Sequence, residues 1–413
     1  MKKMIKKIIL SLLVFVALAI FGLGWLLVKG KTLSERHEPF VSSASFDYNT
    51  ATFDEYIKYS QDHLRRARVD TPSDFVIRNA SPFVLKPAQA CARSAGGGFK
   101  KAVVLTHGLI ASPYSMRNIG EYFQSRCFLV LAVLLPEHAT RPGDFLFTRW
   151  QHWAKAQHFA VTKAQEMADA VFIAGHSVGA ELALYEAATN PAVQGLVLFA
   201  PAMEITPAAK YAWLFTFIGR FLPKAAWYEV REDLSAYRYE SITFSGADET
   251  YKLVKATQSA LENKPLTIPV FMVASYEDNT VRTDTIMDFM AQQKHPASRT
   301  LVYSQIPRPS SKKVKVVVSH EEEEGVLSLS HLGLMLPASH LEYGRNGAYK
   351  SCGHYYKDKG LLEACRNGER NFLGEVTAEN LLRAKVVERI AFNPFYDDLL
   401  MELDQFFESV ALP

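Results

Sequence analysis

Ala170-Val171-Phe172-Ile173-Ala174 runs directly into Gly175-His176-Ser177-Val178-Gly179, and from Ala180 the chain takes up helical spacing through Thr189. Five apolar residues in a row are what a strand buried on both faces of a parallel sheet requires. The following G-x-S-x-G turn has small residues on both sides of its serine, as a tight strand-to-helix reversal demands. Such a turn lifts the serine hydroxyl above the sheet and sets it at a helix N-terminus, where developing negative charge is favoured. The pattern alone also fits an ordinary strand–helix turn. The strand before it and the helix after it select Ser177 as a candidate nucleophile.

Working outward, Ala102–Thr106, Phe128–Leu135, Gly195–Ala200 and Pro269–Ala274 repeat the short apolar run. Helix-length stretches such as Ser115–Gln124 and Ala180–Thr189 separate them. Apolar strands alternating with helices predict an α/β fold with a mostly parallel central sheet. Upstream, Phe53–Arg68 has helical periodicity, Phe75–Leu85 reads as strand ended by Pro87, and Gly96-Gly97-Gly98 reads as a turn. Lys312–Glu324, a basic cluster running into four glutamates, reads as a solvated loop. With 413 residues, 48% hydrophobic and 22% charged, the chain has a globular composition and room for one large domain carrying an insertion.

The N-terminus reads differently from the rest. Lys2, Lys3, Lys6 and Lys7 precede Ile8–Val28, which holds no charged residue, and Trp25 lies near its far end. As a helix this stretch would span roughly 30 Å, the hydrocarbon thickness of a bilayer. Residues 1–31 are therefore read as a membrane anchor, with a cleaved signal peptide (Ala17-Leu18-Ala19 as its processing site) as the competing reading. The lysines favour a cytoplasmic N-terminus and an extracytoplasmic, periplasm-like body of residues 32–413. Six lysines lie in the first 31 residues, so removing them from the net charge of +3 leaves −3 on the body. A faintly acidic body without a basic stripe gives no reason to expect nucleic acid as a partner. Cys91, Cys127, Cys352 and Cys365 admit three pairings. Proximity favours Cys352–Cys365, leaving Cys91–Cys127. None has metal-ligand spacing, and neither metal nor cofactor is expected.

A second element fits the first. Leu105-Thr106-His107-Gly108-Leu109 ends an earlier strand and opens a loop. An oxyanion hole needs two backbone N–H groups aimed at one point, and Val178 and Leu109 are placed to supply them. Gly108 would let the loop approach, and His107 reads as a residue that orients it. At Val103–Gly108, Leu134-Leu135-Pro136 with Arg141-Pro142-Gly143-Asp144, and Gly175–Gly179, the chain resembles the α/β-hydrolase superfamily, in particular bacterial lysophospholipases, monoacylglycerol lipases and related serine peptidases. The resemblance covers residues from about 100 to 413, with gaps. It departs at Pro136-Glu137-His138, where these enzymes usually carry glycine after the proline.

The resemblance implies an acid and then a histidine downstream of the serine. After Pro269–Ala274, Asp278 lies three residues beyond Ser275 and three before Val281, the family's spacing for the acid, with Glu277 as its rival. Two histidines follow strand-like runs: His320 after Val316–Ser319 and His331 after Val326–Ser330. Glu321–Glu324 beside His320 suggest a solvated turn and work against its use as a base. His331 enters the apolar Leu332-Gly333-Leu334-Met335 and is the preferred base, ahead of His320, His340 and His354. The resemblance also implies a cap at about residues 203–264, including Tyr211–Leu222 (Trp213, Phe215, Phe217, Phe221) and Ala247–Leu261. That cap is read as an aromatic cover over the serine, or else as helices burying their own apolar faces. The expected activity is hydrolysis of lipid-like carboxylic esters. A thioesterase, a serine peptidase or a catalytically silent binding protein of the same fold are the alternatives.

Overall fold

The computed structural model describes residues 31–40, 46–368 and 371–410. The expected membrane anchor therefore lies outside the described residues. Among them, no helix is long and apolar enough to cross a membrane.

Eight strands form one sheet in the order β1-β3-β2-β4-β5-β6-β7-β8. They are β1 (Phe83–Leu85), β2 (Phe99–Thr106), β3 (Phe128–Val133), β4 (Ala168–His176), β5 (Val193–Phe199), β6 (Val270–Ser275), β7 (Arg299–Ser304) and β8 (Val314–Val318). Only β1 runs antiparallel, on β3; all other neighbours are parallel. The strand runs read from the sequence are the buried centre of this sheet: Ala102–Leu105, all of β3, Ala170–Ala174 and all of β6 are withdrawn from solvent. Helices cover both faces, as a sheet apolar on both sides requires. In chain order they are α1 (Phe53–Ala67), α2 (Asp74–Ala80), α3 (Arg117–Ser125), α4 (Trp150–Met167), α5 (Val178–Thr189), α6 (Ala212–Gly219), α7 (Phe244–Asn263), α8 (Thr283–Gln292), α9 (Lys359–Asn367), α10 (Ala378–Arg383) and α11 (Tyr396–Ser409). This is an α/β-hydrolase fold.

Local chemistry overrides the sequence reading in three places. Phe75–Leu85 is not one strand. The Ser73 hydroxyl accepts the Val76 N–H and caps α2, and only Phe83–Leu85 remains extended. The expected loop Lys312–Glu324 contains β8, because Val314 and Val316–Val318 suit an edge strand while Lys315 reaches Glu402 on α11. The run of glutamates after it stays in solvent, apart from partly covered Glu321. Val326–Ser330, expected as a strand, is a buried crossing with single bridges from Val326 to Glu321 and Leu373.

Both disulfides form as proximity suggested, Cys91–Cys127 and Cys352–Cys365. The second lies in residues 319–395, a long connection between β8 and α11 holding α9, α10 and a parallel pair of short strands, Phe372–Gly374 and Val387–Arg389.

Candidate active site

Because β2, β4 and β6 run parallel, their C-terminal ends open on the same edge of the sheet, the usual place for a site in such folds. The β4–α5 turn holds Ser177 at φ 54°, ψ −115°, a conformation costly for any residue with a side chain. It persists because its surroundings determine it. The Ser177 N–H donates to the Phe199 carbonyl at 2.9 Å, and its own carbonyl accepts from Glu181 and Ala202. A Cβ at Gly175 would sit 2.4 Å from the Gly179 oxygen, and one at Gly179 would sit 2.2 Å from the Thr106 oxygen. The two glycines of the motif are thus contacts between the turn, its helix and β2.

The loop after β2 closes on this turn. A Cβ on Gly108 would meet His176 Nδ1 at 2.9 Å and Ser177 Cβ at 3.3 Å. His107 is buried and uses both ring nitrogens: Nδ1–H donates to the Gly108 carbonyl (2.8 Å) and Nε2 accepts the Leu135 N–H (3.1 Å). Burial lowers its pKa to about 4, so it stays neutral. The Gly108 carbonyl and the Leu109 N–H belong to one planar trans peptide and point in opposite directions. By holding the carbonyl, His107 therefore aims the Leu109 N–H. Among the described residues, neither the Leu109 nor the Val178 N–H has a protein acceptor. Both are left free to bind an anion, Val178 at the first turn of α5.

Asp278 follows β6. Its side chain is fully buried, and its Oδ1 accepts the N–H groups of Thr280 (2.7 Å) and Val281 (3.1 Å). Its Oδ2 lies 2.7 Å from His331 Nδ1. Burial alone would raise its pKa, but the His331 ring and these hydrogen bonds outweigh burial and hold the carboxyl below its ordinary range. A carboxylate only accepts, so Nδ1 of His331 donates in this contact and Nε2 stands outside it. Glu277 points elsewhere, accepting the Gln305 N–H at 2.9 Å. The other candidate histidines do not meet Asp278. His320, two residues after β8, lies 3.3 Å from the Leu327 carbonyl; His340 Nδ1 accepts from Glu342 and Tyr343; His354 Nε2 is bonded to the Val387 carbonyl.

Two supports escaped the sequence reading. His176, beside the serine, donates from Nε2 to the His331 backbone carbonyl at 3.0 Å, tying the histidine loop to the elbow. Burial, then the His331 ring, lowers the His176 pKa to about 3. A polar residue between Gly175 and Ser177 was the available signal. The second support is Glu375, which accepts the His331 N–H at 3.2 Å and pairs with Arg389; Arg389 also donates to Thr280. No sequence pattern links residues so far apart.

A cleft of about 280 Å³ lies beside these loops, with Ile110, Thr280 and Leu332 meeting Arg238, Glu240 and Arg389 in its wall. The connection between β5 and β6 contributes its irregular part here: the Tyr239 N–H donates to the Ile110 carbonyl, and Tyr237 stacks on Tyr114 at 3.8 Å. The expected aromatic cover is not observed. Trp213, Phe217 and Phe221 face solvent, and Phe215 stacks on Phe244 of α7. Helix α6 ends after eight residues, too short to bury a face on each side.

Residues 97–306, about half of the chain, match the family described as serine aminopeptidase, S33. The match includes Ser177 and Asp278 and ends before His331. A thermostable monoacylglycerol lipase from Bacillus sp. (strain H-257) is 24% identical over 179 residues, 43% of this chain and 71% of that protein. Among solved structures, a study of two metagenome-derived lipolytic enzymes, LipS and LipT, provides a similar chain: 19% identity, 54% of this chain and 87% of that one, TM-score 0.45. The monoacylglycerol lipase of Paleococcus ferrophilus shows 18% identity over 54% of this chain and 88% of its own, TM-score 0.42. By its family match, and with the sheet order described above, the chain belongs to the serine aminopeptidase S33 family of α/β-hydrolases.

Proposed function

We propose that the protein is a serine hydrolase of lipid-like carboxylic esters, of the lysophospholipid or monoacylglycerol type. The observation that carries this reading is the Asp278–His331 pair, which engages Nδ1 of His331 and leaves Nε2 outside that contact, on a loop bonded to the residue next to Ser177. His331 takes the Ser177 proton as the hydroxyl attacks the ester carbonyl. The Leu109 and Val178 N–H groups receive the oxyanion. His331 then returns the proton to the departing alcohol, leaving an acyl-Ser177 ester. Water, deprotonated by the same histidine, releases the acid. Asp278 stabilises the imidazolium in both halves. These steps use side chains, backbone and water alone.

The lipid-like substrate is supported by the monoacylglycerol lipase among the relatives and by the uncharged stretch Ile8–Val28, which would tether the domain beside a bilayer. Two disulfides agree with an extracytoplasmic body, since such bonds persist in oxidising compartments. The charged wall formed by Arg238, Glu240 and Arg389 suits a polar head group rather than a second acyl chain. That wall also favours peptide hydrolysis as the second reading, because it could hold a charged peptide terminus.

Ser177→Ala is expected to abolish fluorophosphonate labelling and ester hydrolysis with the fold intact; activity near that of the parent would refute the assignment. A matched panel of monoacylglycerols, lysophospholipids and aminoacyl amides then separates the readings, with faster turnover of the amides overturning the ester assignment.

A further inference from the structure

The cap segment 205–228 contains no aspartate or glutamate, while Lys210, Arg220 and Lys224 are exposed along it. Among them stand exposed aromatic side chains: Trp213 at 55%, Phe217 at 50%, Phe221 at 79% and Tyr228 at 60% relative exposure. Water-exposed apolar groups gathered on one segment of a monomer mark a contact surface. Aromatic rings interleaved with lysine and arginine on a segment without acids, the nearby Asp248 and Glu249 being paired with Lys252, match the interface of an anionic bilayer. There the rings lie at the level of the head groups and the cations meet lipid phosphate.

The path of the chain supplies the second observation. Lys31 Nζ donates to the Trp227 carbonyl at 2.5 Å, and His37 packs edge-on against the Trp227 ring at 4.9 Å. Leu33 and His37 line a cavity of about 520 Å³ together with Gly219, Pro223 and Trp227 of the cap. The first described residues are thus fastened to the same segment that carries the exposed rings. Only Lys29 and Gly30 lie between Val28, the end of the uncharged stretch, and Lys31. Extended, the three steps from Val28 to Lys31 reach about 10 Å, so a membrane-spanning Ile8–Val28 would hold this segment at the head-group layer.

We propose that the cap face formed by Trp213, Phe217, Phe221 and Tyr228 docks on an anionic lipid bilayer, as a second membrane contact beside the N-terminal tether. This inference rests on the tethered reading of the N-terminus. The rings excluded from the catalytic cleft thereby acquire a partner, and the cleft is kept beside the membrane that holds its substrate.

The test uses the full chain in phospholipid nanodiscs with about a third anionic lipid, labelled with an environment-sensitive fluorophore at Phe221→Cys or, as a control, at exposed Glu262→Cys. Lipids brominated in the acyl chain should quench the label at 221 at least about twofold and leave the label at 262 unchanged. Equal, negligible quenching at both positions in chains that resist alkaline extraction would overturn the docking face while leaving the anchor intact. Loss of the chain on extraction would instead refute the anchor. The docking face then stands only if the label at 221 is still quenched when the chain is titrated onto preformed vesicles of the same composition. Shielding of that label in lipid-free detergent that rises with protein concentration would assign the face to a second copy and overturn the proposal. As an independent readout, combined Trp213→Ser, Phe217→Ser and Phe221→Ser should slow hydrolysis of a vesicle-embedded monoester about tenfold and spare a water-soluble acetate ester. Equal rates on both substrates would count against docking.

Discussion

Replacing Glu375 with glutamine isolates the brace behind the histidine. The Glu375 side chain is 1% exposed and touches three groups: Arg389 Nε at 2.7 Å and Nη2 at 2.8 Å, the Val376 N–H at 2.8 Å, and the His331 N–H at 3.2 Å. Arg389 donates onward to the Thr280 hydroxyl at 2.8 Å, two residues past Asp278. One ion pair therefore spans the loops that carry Asp278 and His331. Removing one member of a buried pair costs about 3–5 kcal/mol, because the remaining charge is left uncompensated. Glutamine keeps one acceptor oxygen, and Arg389 retains 22% side-chain exposure, so the expected loss falls below that range, to about 2–3 kcal/mol. Denaturant unfolding of Glu375→Gln should show this loss. At a temperature where the variant is fully folded, kcat should fall about tenfold with KM nearly unchanged, since misplacing a base by a fraction of an ångström affects only the chemical step. Adding Arg389→Gln removes the orphaned charge and should recover stability but not kcat. A Glu375→Gln enzyme with kcat within about twofold of the parent would refute the brace as a positioning device.

His331→Ala should lower ester hydrolysis by several orders of magnitude, about as much as Ser177→Ala, whereas His320→Ala should change it by less than about tenfold in steady-state assays; the reverse order would exclude the Asp278–His331 pair as the working base. Glu181 is buried on α5, which pushes its pKa up to about 8 from an ordinary 4.5. The folded protein thus keeps a proton that the unfolded chain releases between those values, so stability falls as pH rises from about 4.5 to 8, by at most about 5 kcal/mol. Glu181→Gln should flatten that part of the stability–pH curve, and curves of equal slope in chemical denaturation would dispose of the burial argument. Gly179→Ala should yield little folded protein by circular dichroism, because its Cβ would lie 2.2 Å from the Thr106 oxygen; a folded, active variant would show that β2 and the elbow can separate.

The sequence by itself determined the strands buried on both faces and the strand–turn–helix around Ser177, and its spacing favoured Cys352–Cys365 among three possible pairings. Each depends on neighbours in the chain: a run of apolar residues, two glycines that admit close backbone contact, or two cysteines a short loop apart. It also carried the uncharged stretch Ile8–Val28, legible from length and composition alone. Local reading failed where a few residues tip a balance, as when Ser73 caps a helix inside a stretch that otherwise suits a strand. Only the tertiary structure decided which histidine meets Asp278. His320 and His331 both follow apolar runs, and their difference arises from a buried crossing that carries His331 back to the sheet edge. It alone turned the aromatic rings of segment 205–228 outward and joined Glu375 and Arg389 to the loops that carry His331 and Asp278. Those contacts link residues tens to hundreds of positions apart, and neither periodicity nor spacing encodes them. They form because buried charges and N–H groups must find partners once the core has closed.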